Sequence, residues 1–319
     1  MWYPRIVNRT LFTLVCSGMV ACVDYGVTRS QQLDAWTQPD RESNVDILWV
    51  LDNSGSMSEE HASLAEHAAS FTDTLASADL EFRLGLVTTD PADMGTLLGP
   101  VLDETSSDLT TVFVEAVNGA GVKGTREEEG FSTAIAGATT SITPDFARDS
   151  ANLEVVFYSD EDDNGTIEPQ QFIDDLGATR SGYAVRVNTI VGDLPSGCAS
   201  AVAAADPGVR YGEAREKTKG VRESICTVDM DAVLQRIANT VIGLNTEFEL
   251  TELPLLNTMV VQVDGVAVPR RDVDGWRYSG ADNKIVFDGW AIPRPGAKVT
   301  ATYFDWTGGP LPDTGVAAL

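Results

Sequence analysis

The chain has 319 residues, 48 acidic and 22 basic side chains, a formal net charge of −26 and 43% apolar residues. That length and composition exclude collagen-like, coiled-coil and largely disordered chains and predict about two globular domains with a sizeable core. The strong negative charge excludes nucleic acid and anionic lipid headgroups as partners, because both would be repelled at long range, and makes cations the natural complement.

Arg5 and Arg9, then an apolar stretch from Thr10 to Ala21, form an export signal too short to span a membrane. Met19-Val20-Ala21-Cys22 resembles the lipobox of bacterial lipoproteins. That resemblance implies removal of residues 1–21 and lipidation of Cys22, with the product held at the membrane only by acyl chains. Val23 in place of aspartate after Cys22 resembles lipoproteins directed to the outer membrane rather than retained at the inner one. An ordinary signal peptide is the alternative. With Cys16 removed and Cys22 lipidated, Cys198 and Cys226 remain, and export predicts that they pair as a structural disulfide. Free thiols or a metal pair are the alternatives, unsupported by any CxxC spacing or neighbouring histidine.

Residues 22–44 are polar and without periodicity, and read as a tether. Val45 to Leu51 is almost continuously apolar, as expected of a strand buried on both faces of a parallel sheet, and similar runs recur at 80–88, 153–158 and 183–191. Helical spacing appears between them over 59–78, 127–142 and 169–180, and again over 229–244. This alternation predicts a doubly wound α/β domain with a mostly parallel sheet over 45–244. From residue 246 the period changes to two, with Asp264-Gly265 as a hairpin turn, which predicts a small antiparallel β domain over 246–307 and a tail over 308–319. Trp276, Trp290 and Trp306 are assigned to its packing in preference to a ligand surface.

The first buried strand runs directly into Asp52-Asn53-Ser54-Gly55-Ser56, just before a predicted helix. Ligands of open α/β sheets bind at that end of the strands. This D-x-S-x-S turn, in its strand and helix context, resembles the metal-ion-dependent adhesion site of von Willebrand factor type A domains. The resemblance covers about 200 residues and extends to Gly124-Thr125 before the second helix and to Asp160 after an apolar strand. It implies that Ser54, Ser56 and Thr125 touch a cation directly while Asp52 and Asp160 act mostly through water. In one departure, the family often has glycine after that last aspartate, whereas Glu161 follows here. A hard divalent ion with few anionic ligands stays under-neutralised, which favours Mg²⁺ or Mn²⁺ and leaves it able to accept a carboxylate from a partner.

Asp160 to Gln171 also resembles the start of an EF-hand loop, with Asp162, Asn164 and Glu168 as candidate Ca²⁺ ligands, but Gln171 stands where that loop needs glutamate. His61 and His67, six residues apart on one helix, are expected at the surface or partly packed, and no nucleophile and base pairing is evident, so no enzymatic activity is expected. Leu311-Pro312-Asp313-Thr314-Gly315 matches a sortase signal without the apolar segment that such signals need, and is read as chance. The function expected is Mg²⁺-dependent binding of an acidic group on a protein or glycan at the cell envelope. A structural or assembly component with a purely stabilising metal, and a Ca²⁺-responsive module, are the alternatives.

Overall fold

The computed structural model describes residues 30–39, 44–78, 80–125, 127–272 and 274–305. The signal segment, Cys22, Trp306 and the sortase-like sequence lie outside the described residues. In chain order the elements are β1 (Gln31–Thr37), β2 (Asn44–Leu51), α1 (Ser58–Ala76), β3 (Glu81–Thr88), β4 (Leu102–Asp103), α2 (Leu109–Ala120) and α3 (Gly130–Gly137). Then come β5 (Asn152–Tyr158), α4 (Pro169–Ala178), β6 (Val185–Val191), β7 (Cys198–Ala199), β8 (Ala204–Ala205), α5 (Val209–Thr218), β9 (Arg222–Ser224) and α6 (Met230–Val241). The chain finishes with β10 (Glu247–Glu249), β11 (Val260–Val263), β12 (Val266–Ala267), β13 (Trp276–Ser279), β14 (Lys284–Phe287) and β15 (Lys298–Phe304).

A six-stranded sheet in the order β4-β3-β2-β5-β6-β9 forms the α/β domain, parallel throughout except for β4. Val45 and Ile47 to Leu51 are fully buried because β2 is the strand from which the order reverses, with β3 on one side and β5 on the other. Each such side chain contributes about 1.5–3 kcal/mol on leaving water. Helices α1, α2 and α6 cover one face, where Trp49 packs edge-on against Phe71 and Phe113 with ring centroids 5.2 and 5.5 Å away. Helices α3, α4 and α5 cover the other, around Phe131, Phe157, Phe172 and Tyr211. The switch of strand order at β2 opens a crevice at the carboxyl ends of β2 and β5. At the opposite end of the sheet Asp46 is fully buried, and its Oδ1 takes a 2.7 Å ion pair from Arg148 Nε, so this end is closed by charge pairing.

Strands β7 and β8 pair as a two-stranded antiparallel hairpin, and the other strands form two small antiparallel sheets, β1-β15-β11-β12 and β10-β14-β13, around Phe248, Val261, Trp276, Phe287 and Tyr303. The hairpin at Asp264-Gly265 forms as expected, and Trp276 is buried with its indole N–H donating to the Val268 carbonyl at 3.0 Å. One assignment needs correction. Gln31–Thr37, read as tether, is a strand paired along its whole length with β15. Its pattern was hidden because Leu33 faces solvent while the inward residue at its centre is Asp34, whose carboxylate accepts from Thr251 and from the Tyr303 hydroxyl. The β domain is thus built from both ends of the chain, with the α/β domain inserted between them. Ser30 and Asp305 exchange hydrogen bonds, the Ser30 amide reaching Asp305 Oδ1 at 3.0 Å.

Candidate functional site

Asp52 directly follows β2, where its amide still donates to the Tyr158 carbonyl of β5 at 3.0 Å. Its carboxylate is fully buried, and Oδ1 takes the Ser54 amide at 2.8 Å while Oδ2 takes the Ser159 hydroxyl at 2.6 Å. These bonds tighten the turn and hold Ser54 Oγ 3.0 Å from Ser56 Oγ. Ser56 also lies near enough to the Asp160 carboxylate to favour its charged form, so four of the five expected residues gather in one group. His61 supports the turn from below, donating from Nε2 to the Asp52 carbonyl at 2.7 Å. It is buried more fully than the surface or partly packed position expected, and burial holds its pKa below the ordinary value despite the nearby Asp52. His67 is half-exposed and donates to the Ser63 carbonyl from its own helix.

Thr125 reaches the same crevice by a different route. The Gly124 amide donates to the Asn53 carbonyl at 2.9 Å, and the Thr125 amide donates to Asp90 Oδ2 at 3.0 Å. Burial works against the Asp90 charge, but the amides of Thr125 and Ala92 and the Thr125 hydroxyl outweigh it and hold the carboxyl below its usual range. Thr125 is exposed and its hydroxyl makes a long 3.5 Å contact to the Glu127 carbonyl. It therefore stands beside the Ser54, Ser56 and Asp160 group without a hydrogen bond to it.

The electrostatics are one-sided. Asp160 is buried with Oδ1 unpartnered, and burial, opposed by the nearby Ser56 side chain but reinforced by Asp52, Glu60 and Glu161, pushes its carboxyl up to about 7. Glu128 has no exposed surface, and its Oε1 is also unpartnered. Burial and the charge of Asp52 push it up to about 8, against the pull of a hydrogen bond from Thr89, with Glu161 and Asp160 adding to the rise. Glu60, buried with Oε2 unpartnered, is raised by the same cause, burial. Among the described residues Asp52, Asp160, Glu128 and Glu60 are gathered at this end of the sheet, and no ion pair to any of these four carboxylates is formed there, an environment that favours a neighbouring positive charge.

The donor set fits a small hard ion. The 3.0 Å edge between the two serine hydroxyls is close to the roughly 2.9 Å edge of an octahedron with bonds of about 2.0–2.1 Å, and shorter than the edge Ca²⁺ would need. Both Asp52 oxygens are already engaged, which suits action through water. Among the described residues no group of three or more His, Cys, Asp or Glu side chains is placed to hold a metal by itself.

The acidic loop after β5, expected as a possible calcium loop, is tied to protein partners. Both Asp162 oxygens accept the Arg210 amide at 3.0 Å at the start of α5, and Asp163 accepts the Phe131 amide at 2.9 Å at the start of α3. Glu168 is exposed and stands 3.7 Å from the Arg210 guanidinium, while the Asn164 amide donates to the Glu128 carbonyl at 2.8 Å. The loop caps two helices around an arginine already in place. Cys198 and Cys226 are disulfide-bonded, joining the hairpin after β6 to the turn before α6.

Sequence reasoning missed Asp90, Glu128 and Ser159. A signal existed in Thr88-Thr89-Asp90 and Ser159-Asp160, polar clusters placed directly after buried runs. Glu128 carried none, since it lies in the run Glu127-Glu128-Glu129, which reads as a solvated face.

No family model matches the chain, and no curated protein matches it. Among solved structures it is similar to a von Willebrand factor type A protein from Catenulispora acidiphila, with a TM-score of 0.46 and 10% identity over 89% of this chain and 66% of that one. It is also similar to the pilus adhesin SpaC from Lactobacillus rhamnosus GG, at 0.41 and 11% over 86% and 43%, and to BatB from Bacteroides thetaiotaomicron, at 0.36 and 11% over 62% and 97%. The chain thus spans slightly under two thirds of the first and less than half of the second. All three scores lie below 0.5, so the reading of the site rests on its own geometry.

Proposed function

We propose that the chain is a binding protein of the cell envelope with a von Willebrand factor A-like site, which takes up a divalent cation and through it an acidic group on a protein or glycan. The observation that carries this reading is the joining of Ser54, Ser56 and Asp160 at the carboxyl ends of β2 and β5, with one buried Asp160 oxygen lacking a partner. Ser54, Ser56 and Thr125 would hold Mg²⁺ or Mn²⁺, with Asp52 and Asp160 ordering its waters. When bound, such an ion supplies an electrophilic position that a carboxylate can fill. The chain's own task is to keep that position open: Ser159 and the Ser54 amide fix Asp52, and Asp90 fixes the Thr125 loop.

The inserted topology supports presentation of this site away from an anchor. Ser30 and Asp305 lie together at one end of the β domain, and the chain passes from β1 into the amino end of β2. A lipid on Cys22 would therefore join the β domain, while the candidate site lies at the opposite ends of the α/β strands. No helix among the described residues is long and apolar enough to cross a membrane.

The test is thermal unfolding of the protein in Mg²⁺, Mn²⁺, Ca²⁺ or EDTA, with Asp52→Ala alongside, followed by capture of carboxylate-bearing ligands with and without the ion. A midpoint raised by Mg²⁺ or Mn²⁺, abolished by Asp52→Ala and accompanied by ion-dependent capture, is expected. Capture unchanged in EDTA would overturn the reading. A stabilising ion without capture would leave a structural metal in its place.

A further inference from the structure

Glu128 lies at the meeting point of the loops that build the candidate site. Its Oε2 accepts the Thr89 hydroxyl, and Thr89 is itself bound to the end of β2 through its amide and the Leu51 carbonyl at 2.9 Å. The Thr89 carbonyl accepts the Glu129 amide at 3.0 Å, and the Glu128 carbonyl accepts the Asn164 amide at 2.8 Å. One residue thus connects the end of β3, the loop that carries Thr125 and the loop that follows Asp160. Its side chain is completely buried, and Oε1 has no hydrogen-bond partner. Among the described residues, the charged groups that weigh most on it are Asp52, Glu161 and Asp160, all acidic.

A merely structural tie would not need a carboxylate. Glutamine at this position would still accept from Thr89 with its carbonyl oxygen, would offer the same length, and would avoid burying a negative charge among others. Resting on the cation-binding reading above, we propose that Glu128 is a positioning residue of the cation site, holding the Thr125 loop in place and supplying negative charge that a bound divalent ion compensates. Groups behind the direct ligands of a metal site act in this way on its affinity.

The experiment is calorimetric titration of the full chain with Mg²⁺ alone, together with thermal unfolding in EDTA, for wild type, Glu128→Gln, Glu128→Asp and Asp52→Ala. Glu128→Gln is expected to unfold in EDTA at or above the wild-type midpoint while binding Mg²⁺ about tenfold to a hundredfold more weakly. Glu128→Asp keeps the charge with a shorter reach to Thr89, and is expected to bind Mg²⁺ more tightly than Glu128→Gln although it unfolds earlier. A folded Glu128→Gln with wild-type Mg²⁺ affinity would overturn the proposal. Should Glu128→Gln not fold, Glu128→Asp decides: Mg²⁺ binding lost as completely as in Asp52→Ala would overturn the charge role, and retained binding supports it. Wild type without Mg²⁺ binding would overturn the cation site itself. Binding that Asp52→Ala removes and Glu128→Gln leaves intact would overturn only the role of Glu128.

Discussion

Gly124 and Asn53 approach so closely that a Cβ at position 124 would stand 2.2 Å from Asn53 Oδ1, while the Gly124 amide donates to the Asn53 carbonyl at 2.9 Å. The loop carrying Thr125 is docked against the D-x-S-x-S turn by the absence of a side chain. Gly124→Ala must push this loop off Asn53, at an overpacking cost of about 1–3 kcal/mol. The expected result is a lower melting midpoint and a smaller rise on adding Mg²⁺ than in wild type. An undiminished Mg²⁺ response would show that the loop can retreat without disturbing the site.

Ser159 donates the shorter of the two bonds to the Asp52 carboxylate, at 2.6 Å, and also accepts the Glu161 amide at 3.1 Å. Ser159→Ala leaves Asp52 Oδ2 buried without its donor, which costs about 1–3 kcal/mol. Because the unpaired oxygen also adds to the crowding of negative charge, part of that loss should be recovered in saturating Mg²⁺. Thermal unfolding in EDTA and in Mg²⁺ checks this, and an equal loss in both would confine Ser159 to a structural role.

Asp162 distinguishes a helix cap from a calcium ligand. Its carboxylate receives the Arg210 and Tyr211 amides at the start of α5. Asp162→Ala should lower stability by about 0.5–2 kcal/mol, the usual cost of losing a cap, with the Mg²⁺ and Ca²⁺ responses of the folded protein unchanged. A selective loss of the Ca²⁺ response would favour the calcium-loop reading.

How much the sequence disclosed depends on how each element is stabilised. Strands β2 and β5 were legible because both faces are buried, so burial wrote a continuous apolar run. The D-x-S-x-S turn was legible because hydroxyls and a carboxylate at that strand end have few other uses. Helix α2 was not, because Leu109-Thr110-Thr111-Val112-Phe113-Val114 is rich in β-branched residues and becomes helical through packing against α1. Helix α5 and strand β9 are short and strongly charged, and their arginines are held by ion pairs, Arg215 with Glu247 at 3.4 Å and Arg222 with Asp282 at 3.0 Å. The core histidine His61, the inward Asp34 and the buried Glu128 share one reason for escaping notice: each is a polar side chain inside because of long-range partners.

One of the ties between the two domains is Arg236 of α6, whose Nε pairs with Glu223 of β9 at 2.6 Å and whose Nη1 pairs with Asp288 of the β domain at 2.6 Å. Burial opposes its charge, but the Glu223 and Asp288 carboxylates outweigh it and hold the guanidinium above its ordinary pKa. All three side chains are nearly removed from solvent, so removing the arginine alone abandons two buried carboxylates, a loss of about 3–5 kcal/mol. Arg236→Met should therefore destabilise strongly. Combining it with Glu223→Leu and Asp288→Leu should recover much of that loss, because an apolar cluster of similar volume avoids the desolvation of all three charges. Denaturant unfolding of wild type, Arg236→Met and the triple variant measures both steps. If Arg236→Met alone unfolds in two separate transitions, the clamp couples the domains; if it unfolds in a single transition at the wild-type midpoint, the domains are held by their apolar contacts and the triad contributes little.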